Sequence, residues 1–207
     1  MEQRERVDRY VDIAAVVLIS LATVLTAWCG YQAARWSGLQ TRSYNEASAA
    51  RVRSAEAAAR ANALQNVDVT LFLQYVVAVG EDHPAVADFI ARRFRPEMRP
   101  AFEAWLATKP RTNAKAPPSP FAMPQYRLAE NGEADHLAAT ASERFEVAQQ
   151  ANETADAFVR LTVIFAAVSF LAGIGTKFRY PSHAIVVTVG FIALIYGAIQ
   201  LVQLPVR

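Results

Sequence analysis

Three long apolar stretches, at 13–30, 158–177 and 184–204, set the terms on which this chain can fold. Each comes near the roughly 20 residues that a helix needs to cross about 30 Å of hydrocarbon. Lipid offers no partner to a backbone N–H or C=O, so a stretch of this kind has to satisfy its own, and a helix does so. The reading is therefore all-α: three transmembrane helices, a short N-terminal tail at 1–12, and one water-facing helical domain at 31–157.

Composition agrees with a chain divided between two solvents, 53% hydrophobic and only 19% charged. The water-facing segment carries 14 Lys and Arg against 15 Asp and Glu. A nearly neutral segment lacks the positive footprint of a nucleic-acid binder, so no nucleic-acid partner is expected. The single cysteine, Cys29, rules out an intrachain disulfide. Arg4, Arg6 and Arg9 ahead of an apolar core also fit a secretory leader. That core is long for a leader, and no clean small-x-small cleavage site follows it. Bulky Trp28 stands where a lipoprotein site at Cys29 needs a small residue. The first stretch is therefore expected to be an uncleaved anchor.

Aromatic residues mark the ends of the spans: Tyr10 before the first, Trp28, Tyr31 and Trp36 after it, and Phe178 and Tyr180 between the other two. Such rings favour the headgroup layer. Pro181 makes 177–183 a tight helical hairpin. The arginines of the tail share one side of the membrane with Lys177 and Arg179, while Arg35, Arg42, Arg160 and Arg207 flank the other. Short loops weigh more than long domains in the positive-inside rule. The N-terminus and hairpin are accordingly placed in the cytoplasm and the large domain outside.

Small residues recur along each span. Ser20, Thr23, Ala27, Gly30 and Ala34 share one face of the first helix. Thr162, Ala166, Ser169, Gly173 and Thr176 share one face of the second, and Gly190, Ala193 and Gly197 one face of the third. Spacings of three and four residues align side chains on a helix, and small ones let backbones approach in lipid. Packing inside one three-helix bundle, a contact between subunits, and the lining of a narrow pore all fit these faces. No charged residue lies deep in a span, which argues against a proton-coupled pump but not against a pore of Thr, Ser and carbonyl groups.

Residues 31–66 are rich in Ala, Arg, Gln and Ser with no Pro, so one helix is expected to run out of the first span. A matching return helix is expected at about 132–157, where Ala134, Ala141, Ala148, Ala155 and Thr162 repeat every seventh residue. A seven-residue repeat keeps one seam against a partner, so the two should form a tight antiparallel coiled-coil stalk. A cap at 67–107 carries Phe72, Tyr75, Val76 and Val79 on one face, and Phe89, Ile90, Phe94, Met98, Phe102, Trp105 and Leu106 on another. Asp82 or His83 should cap the helix that starts at Pro84, and Pro96 and Pro100 should split it. The Pro-rich stretch at 108–126 reads as an extended connector, with Phe121, Met123 and Tyr126 stapling it to the cap.

Chemical motifs are scarce. Arg92, Arg93, Arg95 and Arg99 invite a phosphate or headgroup patch, yet Asp88–Arg92, Arg93–Glu97 and Arg99–Glu103 all fall at i,i+4 spacing and should pair locally. Glu81, Asp82 and His83, and likewise Asp135 and His136, lack the helical His spacing of a metal site and read as caps or surface groups. There is no Gly-rich phosphate loop, Gly-x-Ser-x-Gly elbow or His-Glu-x-x-His. Three histidines and one cysteine leave little for a nucleophile and its base. No catalytic residue, cofactor or metal is assigned.

Trp36 behind the Tyr-Gln-Ala-Ala of 31–34, the runs RFRPEMRPAFEAWLA at 93–107 and PSPFAMPQY at 118–126, and the paired C-terminal spans carry a resemblance. Together they resemble a group of uncharacterised bacterial three-span integral membrane proteins: one span, a helical domain, then two closing spans. That resemblance implies a bacterial inner membrane and the same layout along nearly the whole chain, and no activity. The expected function is a non-enzymatic oligomeric scaffold or accessory subunit. Its partners would be the lipid bilayer, further copies of itself, and a membrane partner protein. A homo-oligomeric channel is the alternative, and a lipid-modifying enzyme a third reading.

Overall fold

The computed structural model describes residues 2–178 and 181–207, with side chains from residue 9 onward. The expected hairpin residues Arg179 and Tyr180, and the side chains of Arg4 and Arg6, lie outside the described residues. Among the described residues there are five α-helices and no strand: α1 (Glu2–Gly80), α2 (Pro84–Ala91), α3 (Arg99–Ala107), α4 (Ala129–Gly175) and α5 (Ser182–Gln203), with a 3-10 turn at Pro120–Ala122. Three of them, α1, α4 and α5, are long and apolar enough to cross a membrane, so the chain has the build of a multi-pass membrane protein.

No proline interrupts α1, which continues through 67–79 to Gly80. The cap therefore does not open on a new helix at residue 67. An N–H of Glu81 returns to Val77 O at 2.9 Å and that of His83 to Ala78 O at 2.9 Å, while Asp82 takes the left-handed conformation with φ 57°. This closes the carbonyls of the last turn. Asp82 thus ends α1 rather than beginning α2. His83 stands at the N-cap of α2 without a side-chain capping bond, and Pro84 supplies the fixed φ of the first turn. The expected Asp or His cap is not made.

The chain divides into two compact units, one of Met1–Glu46 with Arg144–Arg207 and one of Ala47–Glu143. In the first unit, Leu18, Ala22, Cys29 and Ala33 of α1 pack with Phe158, Leu161, Phe165, Val168 and Ala172 of α4 and Leu194 of α5. The α4 positions advance by three and four, which keeps them on one stripe of the helix. Val24, Val163, Phe170, Ile192 and Val202 point outward, as lipid-facing residues do. Two glycines set the approach of the helices. A Cβ on Gly190 would lie 2.7 Å from Leu18 Cδ2, and one on Gly197 would lie 2.6 Å from Phe165 Cε1. Beyond the spans, Gln32 is fully buried. Its amide donates to Arg207 O and accepts from Arg207 N–H, both at 3.0 Å, and the Trp36 indole donates to Pro205 O at 3.2 Å. Residues 204–207 are thereby clasped onto α1.

Within the same unit α1 and α4 run antiparallel. The Gln40 amide donates to Asn152 Oδ1 at 2.7 Å, Glu46 pairs with Arg144 at 3.4 Å, and Tyr44 meets Phe145 edge-on at 5.6 Å. Ser43, Ala148, Ala151 and Ala155 are buried between them.

In the second unit the pairing of α1 with α4 has the same sense. Ser54 Oγ donates to the backbone oxygen of Ala134 at 2.8 Å, and Arg60 pairs with Glu133 at 3.1 Å. Ala47, Ala50, Ala57 and Ala61 are buried, as are Ala134 and Ala141. A hydroxyl that reaches a facing backbone requires the close approach that alanine seams allow. Phe72, Phe94, Met98, Phe102 and Trp105 form the core of this unit. Edge-to-face contacts tie it together: Phe94–Phe102 at 4.7 Å, Tyr75–Phe102 at 4.9 Å and Phe72–Trp105 at 5.2 Å. Such pairs add about 0.5–1.5 kcal/mol each beyond their buried area.

The Pro-rich stretch is not extended. It turns repeatedly, because the Trp105 indole takes the Pro117 carbonyl at 2.8 Å and Pro120 is buried. Phe121, Met123 and Tyr126 do pack against the aromatic core, as the sequence predicts. Two of the predicted local ion pairs give way to others. Asp88 and Arg92 meet at 3.0 Å, but Glu97 pairs with Arg95 at 3.1 Å instead of Arg93. The chain is non-helical between α2 and α3, so i,i+4 spacing no longer brings 93 and 97 together. Arg93 lies over the Phe89 ring at 3.4 Å and Arg99 reaches the Arg92 carbonyl at 3.5 Å.

Candidate functional site

The three small-residue faces are not brought to one place. On α1 the buried stripe is Ala15, Leu18, Ala22, Cys29 and Ala33. Ser20, Thr23, Ala27 and Gly30 fall on another face and are all exposed, together with Ala34. A Cβ on Gly30 would meet nothing within 4 Å. On α4, Thr162, Ser169 and Gly173 are half-buried beside the core stripe, whereas Ala166 and Thr176 are exposed. On α5, Gly190 and Gly197 are buried and Ala193 half-buried, all within the bundle of their own unit. The hydroxyls of Ser20, Thr23, Thr162 and Ser169 donate to carbonyls four residues back at 2.8–3.1 Å. Thr176 donates to Gly173 O at 2.8 Å. Hydroxyl protons placed in this way need no water, which suits a helix in lipid.

The second unit holds a polar cluster that the sequence pattern conceals. Asp68 continues the seven-residue series of buried Ala47, half-buried Ser54 and buried Ala61 on α1, and it is fully buried. One oxygen, Oδ2, accepts from Arg95 at 3.2 Å and from the Tyr126 hydroxyl at 3.0 Å. The other, Oδ1, is buried without a hydrogen-bond partner. Burial pushes the Asp68 carboxyl above its ordinary value, against the opposing pull of Tyr126 and Arg95, and Glu97 adds to the rise. Burial and the Asp68 bond likewise push the Tyr126 phenol up. The cluster joins α1, the α2–α3 link and the Pro-rich stretch. An acid at a core register position was its only trace in the sequence.

A cleft of about 520 Å³ opens in this unit beside the turn from α1 to α2. It is lined by the apolar or aromatic side chains of Tyr75, Ala87, Ala91, Phe102 and, on its wall, Leu106, and by the polar groups of Asp82, His83, Asp88 and Arg111 on its rim. Burial pushes the Tyr75 phenol up, while the nearby Arg111 charge acts the other way. On the other side of His83 lies a groove of about 400 Å³, walled by Leu73, Val77, Val86 and Ile90. Asp135 and His136 are exposed on α4, away from any such enclosure. Among the described residues no three metal-ligating side chains converge. Comparison with known protein families, curated proteins and solved structures finds no match to this chain.

Proposed function

We propose that this protein is a non-enzymatic scaffold or accessory subunit that self-associates in a bacterial inner membrane. The exposed face of Ser20, Thr23, Ala27 and Gly30 carries the reading. Among the described residues nothing buries that face, because α4 and α5 pack on the stripe of Leu18, Ala22 and Cys29. Small side chains on a lipid-facing helix allow a second helix to approach closely, which is the chief source of attraction between spans. The α1–α4 pair serves as a coiled-coil stalk in this reading, with its seven-residue series Ala134, Ala141, Ala148 and Ala155 buried. The N-terminus and the hairpin lie in the cytoplasm and the helical domain outside. The resemblance to bacterial three-span proteins supports the same membrane, and a membrane partner protein would share the face or adjoin it.

Disulfide trapping tests this directly. In a Cys29→Ala background, Ala27→Cys in native membranes is expected to give a disulfide-linked dimer, and Val24→Cys, on the neighbouring exposed face, much less. Gly30→Leu should abolish the Ala27 crosslink. Recovery of monomer alone, with no co-purified membrane protein, would overturn the proposal. Ion flux across planar bilayers would replace it with a pore lined by Thr162, Ser169, Gly173 and Thr176.

A further inference from the structure

We propose that the cleft beside the α1–α2 turn binds a small organic monocarboxylate with an apolar body. The carboxylate sits at Arg111 and the Tyr75 hydroxyl, and the body lies against Phe102 and Leu106. At about 520 Å³ the cleft has the size of a small-molecule site, and its apolar lining beneath a polar rim is the usual make-up of one. Leu106 stands 40% exposed on its wall, a large apolar side chain left in water by the protomer.

The polar groups give the ligand its charge. Arg92 and Arg95, a short distance away in sequence, each find a carboxylate, at 3.0 and 3.2 Å. Among the described residues Arg111 has none, and the Tyr75 hydroxyl makes no hydrogen bond. The phenol therefore has its proton free to donate beside an uncompensated guanidinium, a pair of donors matched to a carboxylate. Asp88, also on the rim, is already held by Arg92. Asp82 has no cation partner among the described residues and places one negative charge on the rim, which opposes a second charge on the ligand. The paired donors of Arg111 and Tyr75 fit a monoanion, and the negative charge of Asp82 disfavours a dianion. This inference stands apart from self-association, since every residue it uses belongs to the unit of Ala47–Glu143.

Calorimetric titration of the full chain in nanodiscs tests it with 3-phenylpropanoate, phenylsuccinate and phenethylamine. The monocarboxylate should bind with a dissociation constant in the millimolar range or tighter. Arg111→Gln should weaken it about tenfold, the usual size of a lost charged hydrogen bond. Asp82→Asn should raise affinity for the dianion. Leu106→Glu, which sets a carboxylate in the apolar wall, should abolish binding with an unchanged circular dichroism spectrum. Absence of binding by 3-phenylpropanoate, equal binding by phenethylamine, or indifference to Arg111→Gln overturns the proposal.

Discussion

Gly197 and Asp68 are the residues whose surroundings dictate most. The ring of Phe165 occupies the space that a side chain at 197 would need, and Phe165 is itself fully buried. Gly197→Ala should therefore destabilise the bundle by about 1–3 kcal/mol, the usual cost of overpacking. Gly173→Ala, with nothing within 4 Å of the new carbon, should be close to neutral. Urea unfolding in mixed micelles separates the two. The Asp68 carboxyl titrates above its ordinary value, so the folded state favours its protonated form. Its contribution to stability is complete below the ordinary carboxylate value and is lost as pH rises through the raised one. The slope in that window reaches at most about 1.4 kcal/mol per pH unit for one proton. Carbon-13 NMR should place the Asp68 midpoint above those of exposed aspartates, and Asp68→Asn should remove its share of the pH dependence. The sequence showed neither feature in full. A small-residue face at Gly190, Ala193 and Gly197 was legible from spacing, but Phe165 as its neighbour was not. Asp68 belongs to no motif, and its only trace in the sequence is its seven-residue register with Ala47 and Ala61.

At the scale of elements, the period of seven was the most legible signal. Ala134, Ala141, Ala148 and Ala155 are buried in register, because a repeat of seven returns to the same side of a helix every two turns. Ala141→Leu should then cost about 1–3 kcal/mol in thermal or chemical unfolding, while Ala138→Leu, on the exposed side, should cost little. What the sequence obscured was continuity. The apolar run at 67–79 looked like the start of a cap, yet nothing in it breaks a helix, and α1 carries on to Gly80. The Pro-rich stretch misled in the opposite direction. Proline content favours extension, but here one indole and a buried Pro120 hold the chain in turns. The ion pair assigned by helical spacing to Asp88 and Arg92 is made. Glu97 turns to Arg95 across the α2–α3 link, where the helical geometry behind the rule is missing, and Arg99 inside α3 reaches back to the Arg92 carbonyl instead of to Glu103.

For the whole molecule, three apolar helices were plain from length and hydropathy, since the bilayer tolerates few alternatives. Sidedness rests on a handful of arginines and lysines, and labelling can settle it. Lys115 and Lys177 are both exposed, and the native Cys29 is buried. With the helical domain outside, Lys115→Cys should react with a membrane-impermeant maleimide in intact cells. Lys177→Cys should react only after permeabilisation, and the reverse pattern would invert the topology. The candidate cleft was not legible at all, because Tyr75, Asp82, Phe102 and Arg111 meet only through the turns that separate them. Finally, the grip of Gln32 on residue 207 engages main-chain atoms alone. Those two bonds would survive a change of side chain at 207, whereas the stacking of the Arg207 guanidinium over Trp36 at 5.1 Å would not. An apolar residue in place of Gln32 would leave two backbone groups of the tail without their partner, while the Trp36 indole and the packing of Leu194 would still moor the last span to its neighbours.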